Sequence, residues 1–407
     1  MVANSVPFRI RSFNADRNPV LVKRKYAAMR ESSFRFFRGT SHLFNQDIPA
    51  DSFLWNAPMT WNIGDLHIEN FGSFKADNRV TYFDLNDFDE CILAPNLTDL
   101  ARLMCSLFVA ADELKLTDTD VSHLAATFTD VYALTLTRGY VRQLEQDTAT
   151  GIIRRLLRSV DCRKRRLFLR SRIKYKKHST QFRKRLLLAP AIDQATKTRI
   201  TDAINNWAAS QSDPRFFSVL DVAHRMAGTG SLGIERFMIL VRGDGRPGKE
   251  YLLDLKKAGP STLQSRLADQ QPAWTNDAER IVDVQKRVQA ASPALLQSLV
   301  MPDGTSYVLR ELQPREDKIT LAELSGKVKK LKKLVHNMAR LCAWGHLRSG
   351  GRQGSAIADE LITFGLGYNT WRDQLIDYAR QYARQVKADY AAYCIAYDAD
   401  FFEEPTR

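Results

Sequence analysis

The chain has 407 residues, 44% of them hydrophobic and 26% charged, and a formal net charge of +14. This length exceeds what one hydrophobic core usually organises, so two lobes or domains are expected, and the composition excludes a disordered or fibrous protein. No apolar run approaches the roughly 18–20 residues that span a bilayer, the first residues lack an apolar signal core, and the five scattered cysteines have neither disulfide nor metal-ligand spacing. The expectation is a cytoplasmic protein with reduced thiols and no membrane span.

In chain order, residues 20–45 read as helical, with Leu21, Tyr26, Met29, Phe34, Phe37 and Phe44 apolar and Arg38-Gly39 ending or kinking a helix. Residues 59–63 and 79–84 read as short strands flanking a Gly64–Gly72 loop. Pro95 and the cap candidates Asn96-Leu97-Thr98-Asp99 open a helical region that runs to about Glu145. Residues 151–190 hold 15 Lys and Arg against one acid, Asp161, which accounts for the whole net charge. Leu156, Leu157, Leu167, Phe168, Leu169, Ile173 and Tyr175 recur there at roughly helical spacing, so the segment reads either as a packed amphipathic helix with a solvated face or as a surface for an anionic partner. Its few aromatics argue against nucleic acid as the partner.

After a helix over 191–208 and a linker at Ser210–Pro214 the character changes. Residues 216–258 alternate and carry glycines: Phe217–Ala223, then Gly228-Thr229-Gly230-Ser231-Leu232-Gly233, then Phe237–Val241, and Tyr251–Lys256 after the Gly243–Gly248 turn. This predicts antiparallel strands. A helix over Ala278–Ala290 follows, then a strand pair about Asp303-Gly304 ending in Tyr307–Leu312, then helices over about 321–347 and 356–399.

Three stretches carry chemistry. Asp65 stands five residues before Asn70 on a loop after a strand, where a carboxylate is rigid and accessible enough to orient a hydroxyl. Asn70 offers an oxygen to magnesium, and Asp87, with Asp84 and Asp89 as alternatives, offers a carboxylate. His67 could orient the loop or contact phosphate. The bland alternative for the whole set is a turn with Asx caps. Gly228, Gly230 and Gly233, with Ser231, form a loop whose backbone N–H groups can approach phosphate without Cβ clashes. Lys256, at the end of a strand, can reach nucleotide phosphates under that loop, while Lys257 points to the opposite face. An acid to pair with Lys256 comes from Glu279 or Asp283. The alternatives are an ordinary glycine turn and two solvated lysines.

Gly64-Asp65-Leu66-His67-x-x-Asn70 resembles the catalytic loop of aminoglycoside and choline phosphotransferases, the small-molecule branch of the protein-kinase-like fold. Asp87-Phe88-Asp89-Glu90 through Pro95 to Asp99-Leu100-Ala101 resembles that group's metal-binding stretch. More specifically, the chain resembles the bacterial family known as domain of unknown function 2252. The hallmarks are Phe37-Arg38-Gly39, Gly64–Gly72, Asn86–Glu90, Gly228–Gly233, the Lys256 strand and Leu341–His346. The resemblance covers about residues 20–395. It implies ATP and Mg²⁺ as cofactors, Asp65 as catalytic base, Asn70 and Asp87 as magnesium ligands and Asp99 as structural. It also implies a hinge at Tyr307–Leu312, whose Glu311 and Leu312 face the adenine, and an acceptor hydroxyl on a small molecule or a protein. Two departures stand out: Ile63 occupies the place where many phosphotransferases carry His before the Gly-Asp, and the acid for Lys256 is undecided.

Because the catalytic motifs precede the glycine loop, the implied fold is α+β, a bilobal protein-kinase-like architecture in circular permutation, with a small antiparallel β lobe and a larger helical lobe. The expected division is an N-terminal helical segment on the C-lobe (1–58), the catalytic C-lobe part (59–215), an N-lobe-like β domain (216–318) and C-terminal helices returning to the C-lobe (319–407). A non-catalytic nucleotide-binding module and a magnesium-dependent phosphohydrolase are the competing functions.

Overall fold

A computed structural model describes residues 4–177, 179–183, 191–226, 228–314 and 317–403. Four short helices open the chain: α1 (Val6–Phe13), α2 (Pro19–Arg30), α3 (Ser33–Gly39) and α4 (Ser41–Asp47). Asn18 caps α2 by accepting from Leu21 N, with Pro19 at the first helical position, where its missing N–H costs nothing. Strands β1 (Met59–Asn62), β2 (Phe71–Lys75), β3 (Thr81–Leu85) and β4 (Ile92–Pro95) follow, and they form two separate antiparallel pairs, β1 with β4 and β2 with β3. The sequence indicated β1 and β3 but neither β2 nor β4.

Helix α5 (Asn96–Val109) is buried nearly all round, as its scarcity of charge requires. After α6 (Ala111–Leu114), α7 (Asp118–Thr137) starts at a Thr117/Asp120 capping box. The basic segment is not one amphipathic helix. It divides into α8 (Gly151–Asp161), α9 (Arg165–Arg170) and the hairpin β5 (Ile173–Lys176) and β6 (Ser179–Phe182). The reason is legible in its apolar residues: Ile153 and Leu157 enter the main helical core, while Leu169, Ile173 and Phe182 pack on the larger sheet, and one straight helix cannot serve both. Residues 184–190 of that segment lie outside the described ones.

Helix α10 (Gln194–Ala208) precedes a five-stranded antiparallel sheet ordered β10-β11-β9-β8-β7, from β7 (Val219–His224), β8 (Arg236–Val241), β9 (Tyr251–Lys257), β10 (Gln297–Val300) and β11 (Ser306–Glu311). Gly243, Gly245 and Gly248 all have positive φ in the β8–β9 turn, which this sequence is built to allow. Helix α11 (Asp277–Val288) is inserted between β9 and β10. One sheet face meets Ile200 and Ile204 of α10; the other is covered in part by Leu169 and Phe182. Burial on both faces explains why β8 is apolar at nearly every position.

The last helices, α12 (Leu321–Leu324), α13 (Val328–Ser349), α14 (Ala358–Leu366) and α15 (Arg372–Asp398), return to the helical body, where α13 packs on α7 and α15 on α5. The architecture is therefore mixed α+β with small antiparallel sheets. No helix among the described residues is long and apolar enough to cross a membrane. The segment after α13 comes back to the start of β1: Ala356 N donates to Met59 O at 2.8 Å, and Trp61 Nε1 to Arg352 O at 3.1 Å.

Within the helical body the buried Tyr132 hydroxyl lies 2.7 Å from His346 Nδ1 and accepts from Asn96 Nδ2 at 3.2 Å, tying α7, α13 and α5 together. Burial holds the imidazole neutral, with its pKa pushed down to about 3. Tyr132→Phe removes both partners and should cost about 1–3 kcal/mol. A lower denaturation midpoint at unchanged m-value checks this.

Candidate functional site

Everything in the cleft begins from how the loop after β1 is held. The Asp99 carboxylate, at the start of α5, accepts from Ile63 N at 2.6 Å and Gly64 N at 2.9 Å. Ile68 N donates to Ser106 Oγ at 3.1 Å, and Asn70 Nδ2 closes the loop onto Asp65 O at 2.7 Å. Asn70 thus keeps its Oδ1 as the atom it can offer a cation. Gly64 has φ +82°, and a Cβ there would lie 2.0 Å from Glu90 O, so no other residue fits.

Asp65 points into the cleft with its side chain about one-fifth exposed, and its Oδ1 accepts from Arg102 Nε at 2.6 Å. Arg102 is buried over the Phe37 ring at 4.1 Å and donates from Nη2 to Phe37 O. Burial pushes the Asp65 carboxyl up to about 6, against the opposing pull of Arg102. His67 is buried, and donors face both its ring nitrogens, Glu69 N at 3.1 Å from Nδ1 and Arg38 Nε at 3.3 Å from Nε2. Burial and then the charges of Arg38 and Arg102 hold its pKa well below the ordinary value, so the ring is neutral.

The segment after β3 supplies the second half. Asn86 N donates to Asn70 O at 2.8 Å, which docks this segment on the loop. Asp87 has φ +80°, a left-handed conformation that an Asp tolerates better than most residues and that turns its carboxylate out of line with β3. Burial would raise its pKa, but Lys256, then Lys318 and Arg310, hold it below the usual carboxylate range, so it is anionic.

Lys256 projects from β9 on the face opposite Lys257: Lys256 is buried and Lys257 exposed. Its Nζ pairs with Asp89, lies 3.8 Å from Asp87 Oδ1 and donates to Ser231 Oγ at 2.7 Å. The glycine loop, between β7 and β8, has positive φ at Gly228 and Gly233. Gly228, Gly230 and Ser231 line one cavity with Asp65, His67, Asp87 and Asp89. Asp65, His67, Asn70, Asp87, Asp89, Ser231 and Lys256, drawn from distant parts of the sequence, thus assemble around one small cleft.

Other expected residues lie elsewhere. Asp84 is buried, and its carboxylate accepts from Leu85 N and Ala290 N. Neither Glu279 nor Asp283 meets Lys256: Glu279 accepts from Thr275 N, and Asp283 faces Arg287 at 3.7 Å. The 3.6-residue period of α11 turns Arg280 inward instead, where it donates to the carbonyls of Cys91 and Gly259. Glu311 pairs with Arg79, and its N–H goes to Ala294 O, while Leu312 N goes to Leu252 O. These two residues line a neighbouring cavity with Phe74, Phe168 and Pro293 rather than the glycine-loop cleft.

Among the charged groups, Arg17, Lys25 and the side chain of Arg38, which line the cleft, Arg102, which holds Asp65, and Lys318, whose charge acts on Asp87, had no place in the sequence reading. For Lys25 a signal existed, since it falls on the inward stripe Val22, Tyr26, Met29 of α2. The sheet face above the cleft also proves polar: Asp254, two residues before Lys256 on the same face, is buried among Arg225, Arg236 and Arg310.

A family comparison covers this whole assembly. The model described as "Uncharacterized protein conserved in bacteria (DUF2252)" matches residues 17–396. The chain belongs to this family. No curated protein and no solved structure matches it. The matched span takes in every charged residue named in the cleft, from Arg17 to Lys318.

The oxygen-only donors Asn70, Asp87 and Asp89 suit a hard cation such as magnesium. Among the described residues no three carboxylate, imidazole or thiol groups form a closed cage, so a cation here would share its shell with a ligand's oxygens, as magnesium commonly does. Because Gly64 fixes the loop against backbone, Gly64→Ala should cost about 3 kcal/mol or more through strain and displacement. Thermal denaturation of the variant beside the parent protein measures it; a change under 1 kcal/mol would show that the loop yields.

Proposed function

We propose that the chain is a magnesium- and ATP-dependent phosphotransferase of circularly permuted protein-kinase-like architecture. It would move the γ-phosphoryl group to an acceptor hydroxyl, with a small molecule favoured as acceptor. The observation that carries the reading is Lys256. It lies on β9, the second strand after the glycine loop and the third of the sheet in chain order, and reaches both that loop's Ser231 and the carboxylates of Asp87 and Asp89. A glycine loop between the first two strands, a lysine on the third, and an Asp–Asn loop beside a further Asp are the working parts of kinase phosphoryl transfer.

The chain order supports the permutation. The end of the α13 segment touches the start of β1 through Ala356 and Met59, so joining those points and opening the chain elsewhere would restore the ordinary kinase order. Magnesium, when bound, neutralises phosphate charge; Asn70, Asp87 and Asp89 would hold it. Asp65 takes the hydroxyl proton as the acceptor oxygen forms its bond to the γ-phosphorus and the bond to the ADP oxygen breaks. Arg102 keeps Asp65 ionised near neutral pH, and the Asp99 anchor fixes its position. Lys256 and the loop amides hold the phosphates. The basic segment joins this reading through Arg155, which lines a cavity of about 410 Å³ with Lys318, Lys327 and Lys330, a setting that suits an anionic acceptor.

One observation favours a second reading, a nucleotide-binding module without catalysis. The helix acid that would normally hold the lysine away from the metal carboxylates is missing, since Glu279 and Asp283 face elsewhere.

Titration calorimetry with ATP, with and without magnesium, tests binding: magnesium-dependent binding should be lost in Asp87→Ala and Lys256→Ala, and its absence from the parent protein would sink both readings. Labelled ATP with metabolite pools then separates the two, because Asp65→Ala should bind normally but transfer about 10²–10⁴-fold more slowly. Phosphate released to water alone, with Lys256→Ala silent, would favour a hydrolase.

The pH dependence has a definite sign. With the Asp65 carboxyl raised to about 6, the base is ionised above that pH, so transfer should fall as pH drops through about 6. Arg102→Met removes the cation that favours ionisation and should move this acid limb upward by roughly 1–3 pH units. A limb that stays in place would remove Asp65 from the role of base.

A further inference from the structure

The N-terminal helices do more than pack on the helical body. Asn18 N donates to Gly233 O at 3.1 Å, a Cβ on Gly230 would lie 3.1 Å from Arg38 O, and one on Gly233 would strike Arg17 and Val22 at 2.9 Å. The glycine loop therefore rests directly on α2 and the end of α3. Two cations converge at that contact. Arg17 Nη1 donates to Gly230 O at 2.7 Å, and Lys25 Nζ reaches the same carbonyl at 3.4 Å. Both also lie over the Phe13 ring, at 4.9 and 5.7 Å.

The acids around the cleft have other partners. Asp65 is paired with Arg102, Asp87 and Asp89 with Lys256, and Glu90 accepts from Thr262 N and Oγ1. Arg38 is paired with Glu69. Among the described residues Arg17 and Lys25 meet no carboxylate, and the remaining bond of Lys25 goes to the neutral Asn14 Oδ1 at 2.9 Å. Lys25 is 0% exposed. The direct partners of this ammonium are carbonyl oxygens, Arg17 lies beside it, and the carboxylates of Asp65 and Glu90 act on it only from beyond ion-pair distance, so its burial is costly. Burial and then Arg17 push the Lys25 pKa well below its ordinary value, against the weaker opposing pull of Asp65 and Glu90. Arg17 and Lys25 line the same cleft as Asp65, Asp87, Asp89 and Glu90, and its enclosed volume of about 70 Å³ is of the scale of one anionic group, below the roughly 300–1,000 Å³ of a site that encloses a whole small molecule.

We propose that Arg17 and Lys25 form an anion subsite under the tip of the glycine loop, built to take one phosphate group. This deepens the phosphotransfer reading and rests on it for the two sources named here: the terminal phosphate of the donor nucleotide, or a phosphate carried by the acceptor. The anion binding itself stands or falls separately.

The test uses the full chain, with inorganic phosphate as probe and calorimetry as readout, followed by ATP and ADP in magnesium. Lys25→Met and Arg17→Gln, each checked for folding by circular dichroism, should weaken phosphate binding about tenfold or more. Lys25→Met should also raise the melting temperature of the ligand-free protein, since it removes an uncompensated charge. If ATP binding weakens in the variants, alone or together with ADP, the anion belongs to the donor. If neither nucleotide is affected while phosphate is lost, it belongs to the acceptor. No phosphate binding by the parent protein, or undiminished binding in either folded variant, overturns the subsite. Phosphate binding without any magnesium-dependent ATP binding would leave the subsite intact and remove the phosphotransfer reading.

Discussion

The ammonium of Lys256 is a central contact between the five-stranded sheet and the half of the molecule that holds the Asp65–Asn70 loop, because it lies between Ser231 on one side and Asp87 and Asp89 on the other. Its position follows from strand alternation. On β9, Leu252, Asp254 and Lys256 share one face, and register places Lys256 opposite Arg236 and Val308. Shifting β9 by one residue would exchange Lys256 for Lys257 or Leu255 and leave Asp87 and Asp89 without their cation. The positive φ of Asp87 turns its carboxylate toward Lys256, with the charges of Lys318 and Arg310 adding to the attraction.

Much of the scaffold was legible because its punctuation is strong. Gly228–Gly233 and Gly243–Gly248 bracket an apolar strand, and Asp303-Gly304 marks the next turn, so the antiparallel sheet follows from turn chemistry. The Asp65–Asn70 loop was legible because its closing bond is local, Asn70 onto Asp65 five residues away, although its anchors at Asp99 and Ser106 lie far along the chain. What escaped were contacts set by tertiary packing. Whether Glu279, Arg280 or Asp283 faces inward depends on the rotation of α11 about its axis, and three adjacent charged positions do not announce it. The short buried strands β2 and β4 are paired outside any hairpin signal strong enough to mark both partners. The basic segment misled because its apolar residues serve two cores at once, giving a helix-like spacing that spans a helix–helix–hairpin unit.

Lys25 shows the opposite failure, a signal present but discounted. A lysine on the inward stripe of an amphipathic helix contradicts the pattern around it, and local conflicts of this kind concentrate where function outweighs folding. The Asp254 cluster is a similar conflict. A buried carboxylate shared by three arginines lies on the sheet face above the cleft, where an apolar surface would have been the simpler way to cover a base. It makes this sheet face polar. On the proposed function, recognition of a nucleotide here would rest more on phosphates than on an apolar grip of the base.

The glycine loop then occupies an unusual position in the energetics of the cleft. Its carbonyls at Gly230, Leu232 and Gly233 are held by Arg17, Lys25 and the Asn18 amide, all from the N-terminal helices, while its Ser231 is held by Lys256. Each of the three cations that fastens the loop would be a better partner for a phosphate oxygen than for a neutral carbonyl or hydroxyl, because a charge-assisted bond is roughly twice as strong as a neutral one. An arriving anion would therefore compete for the groups that hold the loop down. Ligand entry and loop release become one equilibrium, with the N-terminal segment as the element both share. In a chain whose Asp65–Asn70 loop comes first and whose glycine loop comes much later, that segment supplies a connection between the two that chain order does not.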